Sequence, residues 1–146
     1  MTPSKTGRIV IVGGAIVGSC CAWQLRRAGH IGPITVLDKD MSYERSSTAL
    51  SAASIRTQFG TPTCIAMSLY AVELFRDLAA QLGEEDAHIG YVEAGYLILG
   101  GSAQADERAT AAEMQRTHGA DVIALTGDDL ASRFPQLDFD GVGIGT

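Results

Sequence analysis

The stretch from Arg8 to Asp40, RIVIVGGAIVGSCCAWQLRRAGHIGPITVLDKD, limits most strongly what this chain can fold into. Its β-branched run, Ile9-Val10-Ile11-Val12, predicts a short strand buried on both faces. Gly13-Gly14-Ala15-Ile16-Val17-Gly18 follows without a break. A helical stretch to about Ala28 comes next, then a turn over Gly29 to Pro33 and a second apolar strand, Ile34 to Leu37, that ends on Asp38. Strand, glycine turn, helix, strand and acid, in that order, open a dinucleotide-binding βαβ unit.

The chemistry of such a unit explains the spacing. Gly13 permits the tight turn out of the first strand, and a site beside it must let the backbone approach a pyrophosphate. Gly18, one helical turn further on, lets the helix pack close to the sheet. Gly18, Ala22 and Leu25 share one helix face, which can press on the strands. The first turn of the helix offers unpaired N–H groups and the positive end of its dipole to phosphates. Asp38 stands twenty residues beyond Gly18, where a carboxylate can accept hydrogen bonds from both hydroxyls of an adenosine ribose. The middle glycine of G-x-G-x-x-G is replaced by Ala15, whose methyl group narrows the approach to the phosphate without closing it.

With 146 residues there is one domain's worth of chain, enough to bury roughly two-thirds of its unfolded surface. A net charge of −6 argues against nucleic acid and against an anionic membrane surface as partners. Cys20, Cys21 and Cys64 are odd in number and lack C-x-x-C or Cys/His ligand spacing, which argues against structural zinc and a disulfide framework. A reducing, cytoplasmic setting is expected. The apolar run Ile9 to Trp23 superficially resembles a signal peptide, but its glycine spacing and Arg26-Arg27 favour the nucleotide fold, and it is too short to span a bilayer.

Beyond Asp38 the chain turns polar, then small and semi-apolar over Ala49 to Ile55. Such a series either passes beneath something large and flat, such as a ring system, or is a plain loop and short helix. Thr61-Pro62 predicts an N-cap followed by proline at the first helical position. A long amphipathic helix follows, with Ile65, Leu69, Val72, Phe75 and Leu82 on or near one face and Gly83 as its stop; Met67 and Tyr70 are expected in the core. Tyr91–Glu93 and Tyr96–Leu99 read as a hairpin across Ala94-Gly95. Ser102 caps a polar helix ending at Gly119, Asp121–Leu125 reads as a strand, Asp128–Phe134 as a short helix, and the rest as a glycine-rich tail. His30, His88 and His118 sit at element ends and are expected to face solvent. None of these histidines has an evident nucleophile or metal partner.

GGAIVG leading to VLDKD, then SSTALSAASIRTQF, TPTCIAMSLYAVELF and GYLILG, together resemble the flavin-dependent amine oxidoreductases. That superfamily includes D-amino-acid oxidase, glycine and sarcosine oxidases and dimethylglycine dehydrogenase. The segment Ser47 to Phe59 is the discriminating one, and it is most similar to the sarcosine/dimethylglycine side and a related FAD-dependent mitochondrial group. The similarity extends through LASRFPQL near the end of the chain. It implies an α/β fold: a Rossmann-like FAD-binding βαβ start (1–83), then the beginning of a mixed or antiparallel substrate-side sheet (84–146).

The resemblance also implies roles for individual residues. Gly13, Gly14, Ala15, Ile16, Val17 and Gly18 would line the pyrophosphate of FAD, Asp38 would hold the adenosine ribose, and Lys39 would lie near the adenine. Ser47, Thr48 and Ser51 would follow the diphosphate and ribityl chain, with Ile55 and Arg56 near the isoalloxazine. A cation there would stabilise the negative charge of the reduced flavin; the alternative for Arg56 is an ordinary surface ion pair. The implied reaction is oxidation of a C–H bond next to the nitrogen of a small amine or amino acid, with hydride passing to the flavin. No catalytic residue is identifiable, and no metal is implied.

Two alternatives stand beside this expectation. One is an NAD-dependent dehydrogenase built on the same βαβ start. The other is a non-catalytic portion or subunit of a split flavoprotein, completed by a second polypeptide. Only two strands of a nucleotide sheet are evident, and the tail stops in mid-pattern, so the chain is expected to be inactive alone.

Overall fold

The computed structural model describes residues 5–146, a mixed α/β chain in two compact units that part between Ser54 and Ile55. This division falls before the helix that the sequence reading grouped with the nucleotide-binding part.

In the N-terminal unit, strand β1 (Ile9–Val12) and strand β2 (Ile34–Leu37) pair in parallel, Ile9 opposite Ile34 and Val12 opposite Leu37. Helix α1 (Ile16–Arg27) crosses between them. Its contact with β1 is close because Gly18 is buried and its nearest side-chain neighbour is Ile11. Burial on both faces of β1 is not what forms. Ile9 and Ile11 are half-buried, whereas Val10 and Val12 are 53% and 86% exposed. A continuous apolar run does not reveal whether the second face finds a partner, and here the run alternates as in a sheet covered on one side.

Helix α1 ends in a Schellman turn: Gly29 (φ +84°) donates to the Arg26 carbonyl and His30 N–H donates to the Leu25 carbonyl. That turn folds the next residue back over the helix end. His30, expected to face solvent, is therefore buried at 8% exposure. The same device closes helix α4 (Ala105–Thr117), where Gly119 and Ala120 donate to Arg116 and Gln115 and Ala120 is buried. His88 and His118 are exposed as expected.

The C-terminal unit is built on helix α2 (Pro62–Arg76), entered through Thr61, whose hydroxyl accepts from Cys64 N–H at 3.4 Å, with Pro62 at the first position. The expected single helix breaks at Asp77; a short helix α3 (Leu78–Leu82) follows and stops at left-handed Gly83 (φ +72°). Ile65, Ala112, Ala120 and Val122 form the core of the unit, with Phe59, Leu69 and Met114 against it. Gln115, buried on α4, donates from Nε2 to the Phe59 carbonyl at 3.2 Å. Met67 and Tyr70, expected in this core, are 67% and 49% exposed. Helix α2 is apolar around much of its circumference, and it is Ile65 and Leu69 that pack with Ala112 of α4 and with Ala120 and Val122 after it.

The hairpin expected over Tyr91–Leu99 does not form. Residues 91–98 are irregular, and the strand is β3 (Leu99–Gly101), paired antiparallel with β4 (Val142–Gly145) from the tail. Ala94 N–H turns back to the Val92 carbonyl at 3.1 Å, and Ile98 exchanges both backbone hydrogen bonds with Thr146, so the second arm pairs with the tail and not with the first arm. The tail reads as loop because of its glycines, but they serve close approach. A side chain at Gly143 would meet the Ser102 backbone at 2.4 Å, and one at Gly145 would meet Leu130 Cδ2 at 2.6 Å. Asp121–Leu125 makes one bridge, Leu125 to Gly145, in place of a strand. Helix α5 (Gly127–Arg133) contributes Leu130, fully buried, and a 3₁₀ turn over Ser102–Gln104 precedes α4 where a Ser102 side-chain cap was expected.

Candidate functional site

The turn between β1 and α1 is held by three hydrogen bonds. Gly13, at φ +99°, donates to the Leu37 carbonyl at 2.7 Å, tying the turn to the end of β2. Gly14 N–H donates to Asp38 Oδ2 at 2.7 Å. Ser19 Oγ donates to the Gly14 carbonyl at 2.5 Å, closing the turn from the helix side. Asp38 Oδ1 accepts from Asp40 N–H at 3.0 Å. The carboxyl of Asp38 is held below its ordinary range, first by the Gly14 N–H and next by that of Asp40.

Gly18 carries out the packing role expected of it. A Cβ there would lie 1.8 Å from the Gly13 carbonyl oxygen, so helix and turn can meet only over a bare backbone. Around Gly13 an added Cβ would find open space, leaving the outer side of the turn accessible. Ala15 is the N-cap and offers no side-chain acceptor, and the first helical turn contains no acid. Helix α1 thus has no capping side chain at Ala15 and no acid in its own first turn, unlike α2, which Thr61 caps; the carboxylate beside its start is that of Asp38, on the Gly14 N–H. One of its first amides, Ile16 N–H, reaches Thr48 Oγ1 at 3.4 Å. Val17 is exposed and Lys39 lies at the surface beside Asp38.

The segment from Asp40 to Ser51 is a chain of turns and contains no helix. Tyr43 N–H donates to Asp40, Ser46 to Tyr43, Leu50 to Ser46 and Ser51 to Thr48, all to backbone carbonyls. Ser47, Thr48 and Ser51 are exposed on it, and Ser51 Oγ donates to the Thr48 carbonyl at 2.8 Å. The structure therefore gathers Gly13 to Gly18, Asp38, Lys39 and Thr48 about one turn, with Ser47 and Ser51 on the loop that reaches it.

Ile55 and Arg56 belong to the C-terminal unit. Ile55 is half-buried; Arg56 is exposed, its guanidinium 5.0 Å over the Phe59 ring, and its carbonyl accepts from the Ser68 hydroxyl. Among the described residues Arg56 has no carboxylate within ion-pair distance. The same unit holds a cavity of about 450 Å³ between the end of α2 and residues 87–93. Arg76 and Glu93 pair across it in a bidentate contact at 2.6 Å, and Phe75 meets Tyr91.

Two residues beside the turn, Ser19 and Tyr43, were not singled out in the sequence. Ser19 falls inside a helix, where serine has many uses. Tyr43 takes a left-handed conformation (φ +59°) that tyrosine rarely adopts, so no sequence pattern announces it.

The bare turn, the uncapped helix start and a carboxylate at the end of β2 fit the diphosphate and ribose of a dinucleotide. Comparison with known proteins identifies which one. The model of the FAD dependent oxidoreductase (DAO) family matches residues 8–145. FAD-dependent oxidoreductase domain-containing protein 1 of Xenopus laevis is 34% identical across 97% of this chain, and its Drosophila melanogaster homolog 33% across 94%. The Bos taurus protein is 32% identical across 97%. The chain spans only 27–30% of the length of these relatives. Among solved structures, the L-proline dehydrogenase of P. horikoshii superposes with a TM-score of 0.76 at 25% identity, over 96% of this chain and 36% of that one. Among the described residues no helix is long and apolar enough to cross a membrane. The cofactor is accordingly FAD and not a nicotinamide, and the chain belongs to the family of FAD dependent oxidoreductases.

Proposed function

We propose that this chain supplies the adenosine-side FAD site of an oxidoreductase that oxidises the C–N bond of a small amine or amino acid, of the sarcosine, dimethylglycine or D-amino-acid kind. The observation that carries the reading is the Gly14 N–H to Asp38 hydrogen bond at the open start of α1. It fixes a carboxylate beside the first amides of α1 before any ligand arrives. Gly13, Gly14, Ala15, Ile16, Val17 and Gly18 would receive the diphosphate, Asp38 and Lys39 the adenosine, and Ser47, Thr48 and Ser51 the chain leading to the flavin. Ile55 and Arg56 would lie near the isoalloxazine, where a fixed guanidinium favours negative charge.

FAD supplies the two-electron acceptor for a hydride leaving the carbon next to nitrogen. This chain's own residues bind and orient. The amino-acid substrate in the name of the L-proline dehydrogenase neighbour supports an amine or amino acid over other substrate classes. Catalytic residues and the substrate face would come from residues outside this chain, on the same polypeptide or a second one. Residues 1–83 would then serve the cofactor, and 84–146 would begin the substrate side. The three free cysteines, odd in number, favour a reducing compartment, and we place the protein in the cytoplasm.

The test is anaerobic. The FAD-loaded full-length protein is mixed with sarcosine, dimethylglycine, D- and L-amino acids, or 2-hydroxy acids, and the flavin absorbance is followed. Bleaching by an amine is expected; bleaching by hydroxy acids alone would overturn the amine reading.

A further inference from the structure

Gly14 is the unconstrained second position of the glycine motif, yet it is a glycine and is buried. The end of the Tyr43 side chain lies against it. A Cβ on Gly14 would lie 2.7 Å from the Tyr43 hydroxyl oxygen, 3.2 Å from Cε1 and 3.3 Å from Cζ. The end of the tyrosine ring sits where a side chain at position 14 would begin, and would have to swing aside to admit one.

Tyr43 reaches that volume from a left-handed backbone, φ +59°, which is strained for a residue with a Cβ. Hydrogen bonds from Tyr43 N–H to the Asp40 carbonyl and from Ser46 N–H to the Tyr43 carbonyl hold it there. Among the described residues, the phenol hydroxyl at the end of this half-buried side chain has only the Met41 sulfur as a hydrogen-bond partner, at 4.0 Å, a weak acceptor. A strained backbone, a bare glycine against the ring and a hydroxyl with little to bond converge on one spot. That spot adjoins the residue whose N–H binds Asp38.

We propose that Tyr43 is a further FAD-binding residue, whose hydroxyl, seated against Gly14, donates a hydrogen bond to the adenosine-diphosphate portion of the cofactor. The proposal rests on the reading that the Gly13–Gly18 turn and Asp38 receive that portion. Phenol is a suitable donor for the purpose, because it brings no charge that would compete with the first amides of α1. A ring pressed on the turn also excludes water from one side of the ligand, which strengthens the hydrogen bonds made there.

The experiment compares the full-length protein with its Tyr43→Phe, Gly14→Ala and Asp38→Ala variants. FAD dissociation constants are read by flavin fluorescence, and ADP is titrated as a competitor. Tyr43→Phe keeps the ring and removes only the hydroxyl. It should weaken FAD and ADP by a similar factor, roughly tenfold for a hydrogen bond to a charged group. Gly14→Ala should displace the ring and weaken both ligands at least as much; a melting curve shows whether this variant remains folded, and Tyr43→Phe carries the test if it does not. FAD affinity in Tyr43→Phe within twofold of the parent, with Asp38→Ala impaired, would overturn the role of Tyr43 and leave the site reading intact. Loss of FAD affinity without loss of ADP affinity would also overturn it, by moving the hydroxyl to the flavin side. Indifference to both Tyr43→Phe and Asp38→Ala would overturn the site reading itself.

Discussion

Replacing Gly18 with alanine should force helix α1 away from the turn on which it rests. The new Cβ would stand 1.8 Å from the Gly13 carbonyl oxygen, 2.9 Å from the carbonyl carbon and 3.2 Å from Ile11 Cγ2. Reaching even the 3.0 Å that Cβ atoms almost never go below requires a separation of about 1.2 Å. The obstacle is backbone, so no rotamer change relieves it. Alanine gains up to about 1 kcal/mol in helix propensity over glycine, while overpacking costs about 1–3 kcal/mol and more where backbone must move. The second effect should win, with a net loss of about 2 kcal/mol in urea unfolding of the full-length protein. FAD affinity should fall at least tenfold, because the same displacement carries the first amides of α1 away from Asp38. Val17→Ala, one residue away and 75% exposed, serves as the stability control and should stay within about 0.5 kcal/mol of the parent. A Gly18→Ala protein as stable as this control, with parental FAD affinity, would show that helix and turn do not meet as described.

Asp38 has a folded-state pKa depressed by the Gly14 N–H, so its stabilising bond is fully present above the unfolded value and is lost as pH falls through the depressed folded one. FAD release on acidification should therefore steepen below about pH 4 and flatten in Asp38→Asn; superimposable profiles would count against the bond. Arg56→Ala should lower the flavin reduction potential in a spectroelectrochemical titration, and an unchanged potential would leave Arg56 as a cation stacked on Phe59. Gly83→Ala meets nothing within 4 Å but must hold φ +72°, so thermal unfolding should show a purely conformational loss of roughly 1 kcal/mol; a neutral result would mean that the stop is not left-handed in solution.

The parts that were legible in the sequence are those fixed by near neighbours. Ile9–Val12, the glycine turn, α1 and Ile34–Leu37 lie within thirty residues of each other, and their periodicity, turn residues and register agree. Thr61-Pro62 and Gly83 were readable for the same reason, since caps are local chemistry. What failed was the choice of distant partners. Leu99–Gly101 pairs with a strand more than forty residues later, and no periodicity records that choice. His30 failed on the geometry of one turn: a residue following a helix-ending glycine is folded back on the helix, not released from it. In the candidate site, spacing singled out Asp38 but not its bond to Gly14, and the position of Tyr43 left no trace because its backbone contradicts its own propensity.

The connection between α1 and β2 leaves no slack, and this bears on which insertions and deletions the gene can carry. Arg26 Nη1 binds the carbonyls of His30 and Gly32 at 2.9 and 2.8 Å, while Ile31 and Gly32 N–H both reach the Lys5 carbonyl. A Cβ on Gly32 would stand 2.4 Å from the carbonyl oxygens of Thr6 and Gly7. Removing a single codon between residues 28 and 33 would draw β2 along by one place. Asp38 would then sit opposite Val12, and Lys39 would come to the position from which the carboxylate now meets the Gly14 N–H. An ammonium group would face a donor, and Thr35 and Leu37 would exchange faces with Ile34 and Val36. Length changes in this connection should be purged as null alleles, while the exposed acidic loop over Glu84–Asp86 has no such register to keep and should absorb them.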